Sequence, residues 1–192
     1  YYHHYKREPM GSYFQTAPEK EDFIFMIGTL WQPNDNAKST NIIRAQFINS
    51  CLKNKKIRFE GGLYATPEHP GYKELKPILF STRYSLKEYI KNTKASAVVF
   101  NTPAVHDCHG WKLAEFLALG KAIISTPLSN ELPKALVHGE DIHIVSAAED
   151  MPSAISFLMD NKEYRKTLGK NAAEYFLQHC TPAQVIRAIM EK

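Results

Sequence analysis

Short apolar runs alternate with amphipathic stretches along most of this chain, and that rhythm predicts its elements. Residues 23–27 are an apolar run ending at Gly28, too short for a helix and suited to a strand buried on both faces. Residues 39–52 carry Ile42, Ile43 and Phe47 at helical spacing, with Ser39 or Thr40 able to cap them. A short strand over 56–61 is closed by Gly61-Gly62. Pro67, Pro70 and Gly71 make 63–76 a loop, and 77–80 reads as a further short strand. Ser85 caps a helix running through Asn92, with Glu88 completing a capping box. A strand over 95–101, a loop over 102–110, a helix over 111–119 and a strand over 122–125 follow. The pattern then predicts a short helix over 130–137, a strand over 142–145, and helices near 149–160, 162–179 and 183–191. Thr181 caps the last of these, with Pro182 at its first position.

Strands of near-continuous apolar character between helices imply an α/β fold: a doubly wound, mostly parallel sheet covered on both faces, Rossmann-like in architecture. In such sheets ligands bind at the carboxyl ends of the strands, near the switch in strand order. The loops after Ile27, Phe59, Phe80, Phe100 and Ile124 are therefore the ones to watch. Residues 1–21 are polar and aromatic without a clean period, and read as a linker or surface arm ahead of a domain over 22–192. The start at Tyr1, without an initiator Met, sets the expectation of a piece of a longer protein.

Composition narrows the classes of function. The 192 residues suffice for one well-packed domain, and no apolar run approaches the roughly 18 residues of a membrane span. A net charge of +4 leans toward anionic partners without the clustering that nucleic-acid binding requires. Cys51, Cys108 and Cys180 are scattered and odd in number, which fits a reducing, cytoplasmic compartment rather than a disulfide framework. Lys53, Lys55, Lys56 and Arg58 cluster at a helix end, either as a solvated face or as a peripheral membrane patch. His106, Asp107, Cys108 and His109 are adjacent and cannot converge on one tetrahedral ion, so neither a metal nor a cofactor is expected.

The turn after the first strand, Gly28-Thr29-Leu30-Trp31, lacks the Gly-x-Gly-x-x-Gly spacing of a dinucleotide site, and no P-loop lysine motif is present. Residues 107–126 are more informative. A loop with Gly110 leads into a helix opening at Trp111, with Lys112 and Glu115 near its start, a stop at Gly120, and a buried strand. Unpaired N–H groups and the positive end of the macrodipole make such a helix start suitable for phosphate. A carboxylate one turn further in can accept hydrogen bonds from sugar hydroxyls. Together they point to a nucleotide-sugar.

An acidic residue, seven intervening residues and a glutamate, then small residues, glycine and an apolar strand, are Asp107…Glu115…Gly120 followed by Lys-Ala-Ile-Ile-Ser. This resembles the C-terminal, donor-binding domain of retaining GT-B glycosyltransferases of the group-1 type. Glu131, the stretch 132–141, and Arg165, Leu168 and Gly169 are similar to the family's later features. The resemblance implies that Glu115 binds the donor's ribose, that the backbone of Gly110, Trp111 and Lys112 faces its diphosphate, and that Asp107 lies against the transferred sugar. Arg83 and Tyr84 would lie near the base, and Gly28 and Thr29 would form a glycine turn by the phosphates. It also implies an unknown glycan or lipid-linked acceptor, polysaccharide or lipopolysaccharide biosynthesis as the setting, and an N-terminal domain outside this chain, toward which the last helix would cross.

The chain departs from the family at three places. Asp107 stands where a glutamate is usual. Thr29 stands where an arginine commonly follows the first-strand glycine, and only Lys38 is available as the later lysine. Other readings fit the same residues: Glu115 as a carboxylate favoured by the helix dipole, Lys112 as a solvated lysine, Trp111 as a packing residue or lid, and Asp107 as a cap. At the level of function, a nucleotide-sugar epimerase of GT-B architecture and a non-catalytic interaction module remain the alternatives to a transferase.

Overall fold

The computed structural model describes residues 19–32, 35–104 and 107–191, with residues 35–38 described by backbone alone. Most of the arm expected over 1–21, together with His3, His4 and His106, lies outside these residues. The elements are β1 (Phe23–Thr29), α1 (Asp35–Lys53), β2 (Arg58–Tyr64), α2 (Tyr72–Leu75), α3 (Leu86–Ala95), β3 (Val99–Asn101), α4 (Trp111–Ala118), β4 (Ile123–Ser125), β5 (His143–Ile144), α5 (Met151–Asp160), α6 (Lys162–Tyr175) and α7 (Pro182–Met190).

The pairs β1–β2, β3–β4 and β4–β5 are all parallel. A parallel bridge between Ile24 and Val98 joins the two groups, and another between Leu63 and Leu79 adds an edge beside β2. Across the sheet the order is thus the Leu79 segment, β2, β1, β3, β4, β5. Numbered along the chain this is 3-2-1-4-5-6, the order of a doubly wound nucleotide-binding sheet, whose direction switches between β1 and β3. At that seam the buried Ser96 hydroxyl accepts from Phe25 N at 2.9 Å and donates to Val98 O at 2.6 Å.

Alternation along the strands divides the core into two faces. Val98, Phe100 and Ile124 pack with Phe47 and Ile48 of α1 and Met151 and Ile155 of α5. Val99 and Ile123 point the other way, onto Leu113 and Phe116 of α4 and Ala172 and Tyr175 of α6. Phe47 stacks on Phe100 with ring centroids 4.3 Å apart. Burying side chains of this size stabilises by about 1.5–3 kcal/mol each. At the end of α4, Gly120 takes a left-handed φ of 58°, and Gly169 of α6 packs against its carbonyl.

Several expected elements differ. No helix forms over 130–137: Pro133 would sit in its interior, where it lacks the N–H and clashes with the preceding turn. Leu132 and Leu136 pack into the second core face from irregular backbone instead. The strand expected over 77–80 shrinks to the bridge at Leu79, because Pro77 favours the start of a 3-10 turn over Lys76–Ile78. Conversely, β2 runs through Gly61-Gly62 rather than ending there. A Cβ on Gly61 would lie 2.0 Å from Met26 O, so glycine is what lets the two backbones approach. The loop over 63–76 holds the short α2, α1 starts a turn earlier than Ser39, and α6 passes into a π-helical turn, Phe176–Cys180, rather than running on as α-helix to 179.

Candidate functional site

An open cleft of about 390 Å³ lies at the carboxyl ends of β1 and β3, where the strand order switches. Its walls are mostly apolar, with aromatic surface from Trp31, Tyr64, Phe80 and Trp111 and polar groups from Thr29, Arg44, Asn101, Thr102 and Lys112. Each comes from a strand end or from the first two turns of a helix aimed at the sheet, except Arg44, which stands mid-helix.

The start of α4 forms one side. Gly110 is its N-cap in extended conformation, and no side chain caps the turn. Leu113, Phe116 and Leu117 anchor the helix in the core, leaving Trp111 half exposed at the mouth. Lys112 reaches across and donates from Nζ to the carbonyl of Ile27. Burial pulls its pKa down to about 8, the charge of Arg44 adds to this, and Glu115 opposes it.

The opposite side is built on Trp31. Its carbonyl accepts from Asn41 Nδ2 at 2.7 Å, and its N–H donates to Asn41 Oδ1 at 3.2 Å. His69 Nδ1 accepts from the Gly71 amide, so its proton lies on Nε2, which donates to Trp31 O at 3.0 Å. The guanidinium of Arg44 lies 4.2 Å from the Trp31 ring centroid. Its Nε donates to Thr102 Oγ1 at 3.0 Å and its Nη1 to Thr29 O at 3.3 Å.

Five of the ten residues singled out from sequence meet in this cleft: Gly28, Thr29, Gly110, Trp111 and Lys112. Gly28 and Thr29 do so as the last paired residues of β1, opposite Leu63 and Tyr64, rather than as a free turn. Glu115 follows Lys112 by one turn, so both lie on the same side of α4. It is half buried and accepts from Tyr89 Oη at 3.0 Å, without lining the cleft wall. Asp107 is exposed on the loop before α4 in a left-handed conformation (φ 57°), with its carbonyl accepting from Asn130 Nδ2 at 3.1 Å. Arg83 is exposed and does not line the cleft. Tyr84 donates to Glu60 Oε1 at 3.1 Å and packs edge-on against Phe25, and burial pushes its pKa up to about 12. Lys38 lies in the first turn of α1, and its side chain is outside the described residues.

Arg44 is the group that sequence patterning passed over. The signal was available: Arg44 lies three and four residues before the fully buried Phe47 and Ile48, on the core-facing stripe of α1. Asn101 and Thr102 carried a weaker one, as polar residues ending an otherwise apolar strand. Asn101 is buried and donates to Ser125 Oγ at 2.9 Å, tying the ends of β3 and β4 together.

The model of a glycosyl transferase-like family matches residues 44–191, well over half of the chain. No curated protein sequence matches. Among solved structures, TarM from S. aureus aligns at TM-score 0.65 and 11% identity, covering 93% of this chain and 36% of TarM. Anabaena HepE aligns at TM-score 0.61 and 16% identity, over 88% of this chain and 47% of HepE. The C-terminal domain of LpcC, a group 1 family glycosyl transferase from Francisella tularensis, aligns at TM-score 0.59 and 17% identity, over 89% of this chain and 92% of that domain. The chain therefore spans less than half the length of TarM and HepE, and nearly all of an isolated C-terminal domain. By its family match this chain belongs to the glycosyl transferase-like family, and its fold is that of the C-terminal half of group-1 GT-B glycosyltransferases.

Proposed function

We propose that this chain is the donor-binding domain of a glycosyltransferase that moves a sugar from a nucleotide diphosphate-sugar to a glycan or lipid-linked acceptor, with retention and without a metal ion. The observation that carries the reading is the uncapped N-terminus of α4, which opens beside the Lys112 ammonium into the cleft at the strand-order switch. The neighbours agree in chemistry: HepE was solved with UDP and glucose, and a TarM point mutant with UDP, α-GlcNAc-glycerol and fondaparinux.

In this reading the diphosphate lies on the N–H groups of Trp111 and Lys112. As the bond from sugar to phosphate breaks, negative charge builds on the leaving oxygens. Fixed backbone dipoles and a nearby ammonium stabilise that charge without reorganising. Glu115, oriented by Tyr89, takes the ribose hydroxyls. Asp107, on the loop that leads into α4, faces the transferred sugar. The acceptor site belongs to a second domain. On α7, Val185, Ile186, Ile189 and Met190 are exposed and give that domain an apolar surface to cover. Among the described residues no helix is long and apolar enough to cross a membrane.

Titration calorimetry with UDP, GDP and ADP tests the reading. One of the three binds in the micromolar to millimolar range, and Glu115→Ala weakens it by roughly 10- to 150-fold, the loss of one charge-assisted hydrogen bond. Absence of binding by all three at millimolar concentration, or unchanged affinity in the variant, refutes it.

A further inference from the structure

Arg44 is the charge in the cleft that the reading above leaves without a role. It stands on the core-facing stripe of α1, where a guanidinium is costly unless compensated. It makes no ion pair among the described residues. Burial lowers its pKa to about 10, and its charge also bears on Lys112. Two cations thus face one largely apolar cleft.

The contacts of Arg44 hold its head in a fixed plane. Nε is tied to Thr102 Oγ1, Nη1 to Thr29 O, and the face rests on Trp31, itself fastened by Asn41 and His69. A cross-link between the ends of β1 and β3 needs only a neutral donor such as an amide. A guanidinium carries five N–H groups in a rigid fork, and two of those donors account for the bonds above. That fork matches the oxygens of phosphate in pairs, which an ammonium cannot do. Its position is also telling: Nη1 meets the carbonyl of Thr29, so the head reaches the end of β1, where Thr29 carries no charge of its own.

We propose that Arg44 is the diphosphate-contacting cation of this protein, delivered from the middle of α1 to the end of β1 and acting across the leaving group from Lys112. The inference rests on the nucleotide-sugar reading of the cleft and deepens it by assigning the preference for two phosphates over one to this side chain.

The test is calorimetry on the whole chain with wild type, Arg44→Gln and Arg44→Lys. The probes are inorganic pyrophosphate and whichever of UDP, GDP and ADP binds best, with its monophosphate. In Arg44→Gln with a native circular dichroism spectrum, diphosphate affinity falls at least about tenfold and the preference over monophosphate shrinks with it. Should that variant fail to fold, Arg44→Lys decides, because it keeps the charge and loses the fork. A loss of about threefold or more supports the inference, and a smaller one overturns it. If wild type binds neither pyrophosphate nor any of the three diphosphates, the reading of the cleft falls and this inference with it. If wild type binds and folded Arg44→Gln binds equally well, the reading stands and the inference alone falls.

Discussion

The titration of Lys112 offers a probe of anion binding that needs no acceptor and no turnover. In the free protein its pKa lies near 8, lowered by burial and by Arg44. A diphosphate beside the ammonium replaces lost hydration with opposite charge and returns the group toward its ordinary value of about 10.4. At pH 8.5 the free group is protonated in about a quarter of molecules and the bound one in nearly all, so binding takes up about three quarters of a proton. At pH 7 the same group contributes about a tenth. The higher pH also clears the terminal phosphate of the ligand, whose own pKa lies near 6. Calorimetry at pH 8.5 in Tris and in a buffer of smaller ionisation enthalpy, such as tricine, measures the uptake as the slope of apparent enthalpy against buffer enthalpy. Lys121 also sits near pKa 8, but it donates to Lys94 O at the amino-terminal edge of the sheet and does not meet the ligand. Lys112→Met therefore abolishes the slope. The same shift makes stability pH-dependent. The unfolded chain holds this proton up to about pH 10.4 and the folded chain only to about 8, so stability rises with pH across that window, by up to about 3 kcal/mol from this group. A buffer-independent enthalpy at pH 8.5 in a protein that binds the nucleotide refutes the placement of Lys112, as does an equal slope in Lys112→Met.

Two further substitutions test the scaffold that holds the cleft. Gly169→Ala puts a Cβ 2.5 Å from Gly120 O, a backbone atom at the end of α4 that has little room to retreat. Overpacking of this kind costs about 1–3 kcal/mol, read as a lower urea midpoint at unchanged slope. Ser96→Ala leaves Phe25 N and Val98 O without their hydroxyl at the β1–β3 seam. The loss is about 1–3 kcal/mol in chemical denaturation, and a neutral result refutes the seam's dependence on Ser96.

How much was legible in the sequence follows from where each property is encoded. Strands β1, β3 and β4 announce themselves because a strand buried on both faces needs an unbroken apolar run, and the alternation of strands with helices then implies the doubly wound order. Pro133 and Pro77 show the limit of periodicity: an apolar spacing compatible with a helix or strand does not survive a residue that cannot donate. Gly61-Gly62 shows the converse. Glycines that read as a strand's end permit the close backbone contact that continues it. At the site, Gly110, Trp111 and Lys112 were legible because one contiguous segment encodes a helix start. Arg44, Trp31 and Thr102 meet only through tertiary contact, from α1, from the segment after β1 and from the end of β3. Tyr84 lies in a loop the pattern flagged, but its hydroxyl bond to Glu60 depends on a partner from β2 that no local spacing reveals.

The fold itself explains why two cations converge here. The bond from Ala97 N to Phe23 O shows that the carbonyl of Phe23 points toward β3, and by alternation so do those of Ile27 and Thr29. Yet β1 and β3 are paired only near their amino-terminal ends, through the Ile24–Val98 bridge and the Ser96 hydroxyl. Beyond that point no further bridge joins the two strands, and among the described residues the carbonyls of Ile27 and Thr29 have no strand partner on that side. Lys112 and Arg44 satisfy them, one carbonyl each. The break in pairing beside the cleft therefore also creates the acceptors that draw in its cations, and these are held before any ligand arrives. An anion entering the cleft meets charges already placed and only partly neutralised by carbonyl dipoles, the arrangement that stabilises a leaving group with least reorganisation. Restoring the ladder across this gap would cost the protein both its cavity and its cations, so the defect in the sheet and the site are one feature.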